Sequence, residues 1–182
     1  MRKLSLLATL TACLVFFSVI GPAHGQERSV FWERWDVVID NVDTSANRFD
    51  VRETYDLRFT GTFRFGSAVI ENDRLDAIDN VQVFENGTPL VRECMQRPGT
   101  FCVERSTAET AITYYFRSAA SNTTRRFELA YTVRGALRIY EGGDQLWWSA
   151  IPDEHYGFAI GRSTVTVTMP DGFVPREGID PV

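Results

Sequence analysis

The sequence predicts an all-β chain, an antiparallel β-sandwich of about eight to ten strands. Three observations predict it. Apolar and polar residues alternate with a period of two in run after run. Turn residues fall between those runs. No window of a dozen residues carries a helical apolar stripe.

The first element is a leader, not a strand. Arg2 and Lys3 precede an apolar stretch from Leu4 to Ile20, and Ala23, His24 and Gly25 offer small residues at a processing site. Residues 1–25 read as a secretory signal peptide cut before Gln26, with an uncleaved membrane anchor as the alternative. Pro22 and the Ala-His-Gly triplet favour cleavage, since an anchor needs neither. Residues 26–172 then form one domain, long enough to bury roughly 70% of its unfolded surface without a metal staple.

The strands follow in order. Trp35, Val37 and Ile39 alternate with Asp36, Val38 and Asp40. In "RFDVRETYDLRF", Phe49, Val51, Tyr55, Leu57 and Phe59 share one face, while Asp50, Arg52, Thr54, Asp56 and Arg58 share the other. Ile112, Tyr114 and Phe116 line a later strand. Phe127, Leu129, Tyr131 and Val133 line the next, and Val165, Val167 and Met169 the last, which Pro170 stops. Leu75 to Ile78 has room for one helical turn at most. Asn86-Gly87, Pro98-Gly99, Gly142-Gly143-Asp144 and Asp171-Gly172 mark the turns between runs. Residues 173–182, rich in proline, glycine and acids, read as the start of a linker whose downstream part lies beyond this sequence.

Charge excludes one class of function. The chain has 24 Asp and Glu against 19 Lys and Arg, and two of the bases sit in the leader. That balance argues against a nucleic-acid binder or a binder of anionic membrane surfaces. Lys3 is the single lysine, so every basic residue after it is arginine, a compositional bias more than a functional sign.

Cys94 and Cys102 remain after the leader, in "ECMQRPGTFC". In an exported protein, two cysteines around a Pro-Gly turn predict a disulfide closing a hairpin loop. For a loop of about nine residues, chain entropy makes it worth about 2.6 kcal/mol. The pair offers too few ligands for a metal and lacks the Cys-x-x-Cys spacing of a redox couple.

Two stretches together point to a family. "FDVRETYDLRF" and "FELAYTVRGALRIYEGGDQLWW", the latter followed by "TVTVTMP", resemble the N-terminal extracellular domain of the bacterial predicted membrane proteins grouped as domain of unknown function 2207. Glu53, Tyr131, Val133, Gly135, Trp148, Val165, Val167 and Pro170 sit at the places of that pattern. The likeness covers most of residues 34–172. It departs at "FRFGSAVIEND", where the family usually has an Arg and an Ile-Pro, and at "EHYGFAI", where Tyr156 stands in for a Trp. The resemblance implies an exported β-sandwich followed by membrane-spanning helices and a cytoplasmic tail, both beyond residue 182. It brings no biochemical activity.

"LWWSAIPDEH" raises the question of a site. Neighbours in a strand point to opposite faces, so Trp148 and Leu146 go inward and Trp147 goes outward. With Tyr140 and Tyr156, Trp147 would make an aromatic platform for a sugar ring or a partner. The competing expectation is that the N-terminal segment, where Phe31, Trp32 and Trp35 need burial, covers Trp147. Asp153, Glu154 and His155 are consecutive on a loop and read as a solvated corner: zinc needs three or four ligands from separate elements, and calcium loops space their ligands differently. No metal, cofactor or catalytic group is expected.

A serine triad would need His155, the sole histidine after the leader, and no Gly-x-Ser-x-Gly elbow is present. Glu53 lies on the core-facing phase between Val51 and Tyr55, so it is either a tuned acid or half of an ion pair with Arg126 or Arg134. Asn86 and Asn122 match a glycosylation pattern and serve here as loop markers.

The leading expectation is a non-enzymatic extracytoplasmic module of a bacterial membrane protein. It would work on the extracellular or periplasmic side, with a binding or assembly role toward an envelope protein or glycan. The alternatives are a secreted carbohydrate- or peptide-binding module and, less favoured, a carboxylate-based envelope hydrolase.

Overall fold

The computed structural model describes residues 28–152 and 158–173. Residues 1–27, 153–157 and 174–182 lie outside the described residues, and the expected leader (1–25) falls among them. Among the described residues the chain forms twelve strands and no helix, so none is long and apolar enough to cross a membrane. The strands are β1 (Ser29–Asp43), β2 (Arg48–Thr60), β3 (Thr62–Glu71), β4 (Ala77–Glu85), β5 (Thr88–Pro89), β6 (Val91–Arg92), β7 (Thr100–Arg105), β8 (Glu109–Ser121), β9 (Thr124–Arg134), β10 (Leu137–Arg138), β11 (Gln145–Leu146) and β12 (Ser163–Val167). The count exceeds the eight to ten expected because β5, β6, β10 and β11 are two-residue pieces. Periodicity cannot register strands that short.

Six strands make one sheet in the order β12-β1-β2-β9-β4-β5, and four make the second in the order β3-β8-β7-β6. A separate ribbon pairs β10 with β11. The long neighbours pair antiparallel, as expected. Two pairs are parallel instead, β1 with β12 and β6 with β7. The second corrects the expected hairpin around the cysteines: the Cys94–Cys102 disulfide is formed, with Cα atoms 4.6 Å apart, but the loop it closes joins strands running the same way.

The chain crosses between sheets at two matched corners. β2 becomes β3 through Gly61 and β8 becomes β9 near Asn122, both at positive φ (79° and 46°). The Gly61 amide donates to Oδ1 of Asn122 at 2.8 Å, and the Asn122 amide donates to the Gly61 carbonyl at 3.3 Å. Asn86 does similar work at the β4–β5 turn, where its Oδ1 accepts the Arg126 amide at 3.1 Å. Both asparagines of the glycosylation pattern are thus engaged in turn geometry.

The inner face of the six-stranded sheet follows the alternation read from the sequence. Val37, Ile39, Phe49, Val51, Tyr55, Leu57, Phe59, Phe127, Leu129, Tyr131 and Val133 are all buried. Phe116 and Tyr114 of β8 meet Phe127 with ring centroids 4.8 and 5.2 Å apart, and Phe116 also meets Phe59 at 5.5 Å. Each such side chain taken from water contributes about 1.5–3 kcal/mol, offset by the conformational entropy of ordering it. The outer face of this sheet is a ladder of ion pairs: Arg52 with Glu128 at 2.8 Å, Arg126 with Asp56 at 2.7 and 2.9 Å, and Arg134 with Asp79 at 2.7 Å.

The last strand departs from expectation. β12 forms, and Val165 and Val167 are in register with buried Val37 and Ile39, yet they remain 47% and 45% exposed. β12 lies at the edge of the wider sheet, two strands from β2. The alternation is right there, but it does not lead to burial.

Candidate functional site

Three features hold the chemistry-bearing residues: an acid inside the sandwich, a second acid at its rim, and an aromatic ribbon on its surface.

The inner acid is Glu53, where the phase of β2 places it. It pairs across the sheet with Val37 on one side and Leu129 on the other, and it is 6% exposed. Among the described residues no arginine pairs with it. Arg126 is taken by Asp56 and Arg134 by Asp79, which corrects the expected ion pair: both arginines sit on the opposite phase of β9 and point away from the core. Three neutral donors surround Glu53 instead. Trp35 Nε1 donates to Oε2 at 3.2 Å, the Tyr55 hydroxyl donates to the same oxygen, and the Tyr131 hydroxyl donates to Oε1 at 2.6 Å.

Burial raises the Glu53 pKa above the ordinary carboxyl value, against the pull of those three bonds. Burial and the neighbouring carboxylate hold the Tyr55 and Tyr131 hydroxyls well above the usual phenol range. The Trp148 ring packs on Phe49 and Tyr131, with centroids 5.6 and 6.1 Å apart. Three of the family-pattern residues, Glu53, Tyr131 and Trp148, therefore meet in one cluster.

Gly135 and Pro170 stand elsewhere. Gly135 ends β9 at φ +77°, where an added Cβ would lie 2.4 Å from the Asp76 carboxylate. Pro170 is exposed and accepts the Phe173 amide at 3.2 Å.

The rim acid, Glu85, closes β4 and is 2% exposed. It pairs with the Arg125 guanidinium and accepts the Arg117 amide at 2.7 Å. Arg125 also donates to the Ser118 carbonyl (3.0 Å), the Ser118 hydroxyl (3.1 Å) and the Ala119 carbonyl (3.0 Å), so the pair is laced to the end of β8. Neither residue was expected from the sequence, although a signal was there. Glu85 falls on the phase of Val81 and Val83, and Arg125 on the phase of Phe127 and Leu129. Beside them lies a shallow depression of about 360 Å³ lined by Asn86, Thr88, Arg117 and Thr124.

The surface ribbon carries the aromatic platform residues. Leu137 pairs with Leu146 and Arg138 with Gln145. Burial alternates from Gln145 to Trp148, with Leu146 and Trp148 inward and Trp147 outward. Trp147 is 53% exposed and Tyr140 59% exposed. The N-terminal segment does not cover Trp147, contrary to the competing expectation. Trp32 and Trp35 stack on each other at 5.7 Å, and Trp35 packs edge-on against Tyr55 at 5.0 Å.

Arg74, also not expected from the sequence, lies over the Trp147 ring with its guanidinium carbon 5.4 Å from the centroid. Tyr140 opens the turn at the ribbon tip, where its carbonyl accepts the Gly143 amide at 3.1 Å, so it stands at the far end from Trp147. Tyr156, the third platform residue, lies outside the described residues. Of the described residues of "LWWSAIPDEH", Leu146 is the one in β11.

Among the described residues, no three Asp, Glu, His or Cys side chains gather to hold a metal ion. Asp153, Glu154 and His155 lie outside them.

The model of the N-terminal domain of the predicted membrane protein family DUF2207 matches residues 39–178. No curated protein matches the sequence. Among solved structures, an M1 zinc metallopeptidase from Deinococcus radiodurans is similar at TM-score 0.37 and 11% identity over 60% of this chain and 21% of that chain. A variant of that peptidase with a bound substrate is similar at TM-score 0.35 and 12% identity, over 60% and 22%. The chain spans about a fifth of the length of these structures.

Proposed function

The chain belongs to the DUF2207 family of predicted membrane proteins, and on that premise we propose that it is a non-enzymatic, extracytoplasmic β-sandwich module with a binding or assembly role at the cell envelope. One observation carries the reading. Among the described residues, the two buried carboxylates are committed to structure, Glu53 to three donors inside the sandwich and Glu85 to Arg125 and the Arg117 amide. A carboxylate-based hydrolase needs two acids facing each other across an open cleft. Glu53 is sealed from solvent, and the depression beside Glu85 brings no second acid to it.

A reporter pair tests the reading. Alkaline phosphatase fused after Val182 should be active in cells and β-galactosidase at the same place inactive. A photoreactive residue at position 147 should then give a discrete cross-linked product that the same residue at position 52, on the charged outer face, does not give. An active β-galactosidase fusion, or cross-linking indifferent to position, would sink the proposal.

A second reading, a carbohydrate- or peptide-binding module, is favoured by one observation: Trp147 is half exposed with a cation held against its ring. Trp147→Ala should then abolish ligand binding while leaving the fold intact.

A further inference from the structure

We infer that the base of the β10–β11 ribbon is a binding site for an acidic saccharide, with Trp147 stacking on the sugar ring and Arg74 pairing with its carboxylate. The inference rests on the aromatic-surface reading above and adds the charge of the ligand. Trp147 and Arg74 form one unit, the guanidinium carbon 5.4 Å from the ring centroid. Arg138 belongs to the same unit: its Nη2 donates to the Arg74 carbonyl at 2.9 Å and its Nη1 to the Gly135 carbonyl at 3.2 Å. Arg138 and Gln145 are paired across the ribbon, and Trp147 follows Gln145 on the same outward phase. One face therefore carries an exposed indole, the exposed Arg74 guanidinium and the Gln145 amide, with the half-buried Arg138 bracing Arg74 through its backbone carbonyl.

That combination matches a uronic acid. The indole offers a flat apolar surface for the C–H face of a pyranose. Arginine offers planar donors for a carboxylate. The amide of Gln145 suits ring hydroxyls. Glu141 and Asp144 lie in the tip loop, and Asp73 and Asp76 stand beside Arg74 and Arg138 at the base, so the acidic preference rests on the Arg74 guanidinium held over the exposed Trp147 ring. Asp73 lies 3.4 Å from Arg74 Nε, both side chains well exposed. An exposed pair of that kind is weak, and it leaves the rest of the guanidinium to a ligand.

Affinity electrophoresis of the full chain in native gels tests this, with polygalacturonate as the acidic probe and dextran as the neutral one. Polygalacturonate should retard the chain more than dextran does, and added salt should reduce the effect. Arg74→Gln should weaken binding to polygalacturonate about tenfold, the worth of one charge-assisted contact. Trp147→Ala should abolish binding. Arg52→Gln, which breaks an exposed ion pair on the far sheet face, should change nothing.

Equal retardation by both polysaccharides that Trp147→Ala removes would keep the aromatic surface and overturn the acidic preference. No retardation by either would overturn both readings. Retardation lost equally in Arg52→Gln would overturn the location.

Discussion

Tyr131 donates its hydroxyl to Oε1 of Glu53 at 2.6 Å, binding a buried acid on β2 to the neighbouring strand β9. The Tyr131 ring also meets that of Trp148 at 6.1 Å, which ties the core to the segment that presents Trp147. Trp35 and Tyr55 complete the shell around the carboxyl. The acid is held without a cation, and a balance follows: burial favours the proton on Glu53, while three donors favour the charge.

That balance has a pH signature. Burial wins, so the folded state holds the Glu53 proton more tightly than the unfolded chain does. The stability this contributes is complete below about 4.5, the ordinary value, and is lost as pH rises from there through the raised one. Glu53→Gln should remove this component. Urea unfolding across pH would show a fall in stability from weakly acidic to neutral pH that is shallower in the variant; parallel curves would refute the assignment.

Glu53→Leu probes the donors. It strands Trp35 Nε1 and two tyrosine hydroxyls in the core, at about 1–3 kcal/mol for each group left unmade. The expected loss is at least about 3 kcal/mol, larger than for Glu53→Gln, which keeps an acceptor. Denaturant midpoints of the two variants decide the order.

The two kinds of arginine pair should separate clearly. Arg125→Met leaves Glu85, 2% exposed, with the Arg117 amide alone. A buried charge stripped of its partner costs about 3–5 kcal/mol. Arg126→Met breaks a bidentate pair with Asp56 on the exposed face, worth about 0.2–1 kcal/mol. Arg126 holds the Asp56 carboxyl below its usual range, so that smaller contribution is present above about pH 3.8 and fades as pH falls through the lowered value. Equal losses in the two variants at neutral pH would contradict the burial argument.

Two glycines make a fourth test. An added Cβ on Gly66 would lie 2.6 Å from the Tyr114 ring, whereas one on Gly87 meets nothing within 4 Å. Gly87→Ala bears only the left-handed φ of +77°, about 1–2 kcal/mol. Gly66→Ala must displace a buried aromatic and should cost more, with a larger drop in melting temperature.

Four strands were legible both in phase and in burial, because a strand buried on one face writes its phase into its residues: β1, β2, β8 and β9 show it, whereas β12 alternates without being buried. β3 did not, for two reasons. A register shift between Phe63 and Phe65 moves Phe65 to the outside, where it is 57% exposed, and Gly66 takes an inward position with no side chain. Glu53 was legible as a buried acid, but its partners were not. Arg126 and Arg134 have the right charge and the wrong phase, and the neutral donors come from strands whose register the sequence does not print. Arg74 comes from the loop before β4, which no periodicity connects to Trp147.

The adjacent tryptophans give the last test, because sequence neighbours should behave oppositely. Trp148 packs on Phe49 and Tyr131 from the inward phase. Trp148→Ala opens a hole beside the Glu53 cluster and should cost about 3 kcal/mol. Trp147 is half exposed, and its contact with Arg74 is a cation–π pair worth about 0.5–1 kcal/mol at an exposed site. Trp147→Ala should therefore stay within about 1 kcal/mol of the parent chain. Thermal unfolding of the two variants reads the difference directly. A Trp147→Ala loss as large as that of Trp148→Ala would mean that Trp147 is a packing residue, and the surface assigned to ligand binding would lose its central group.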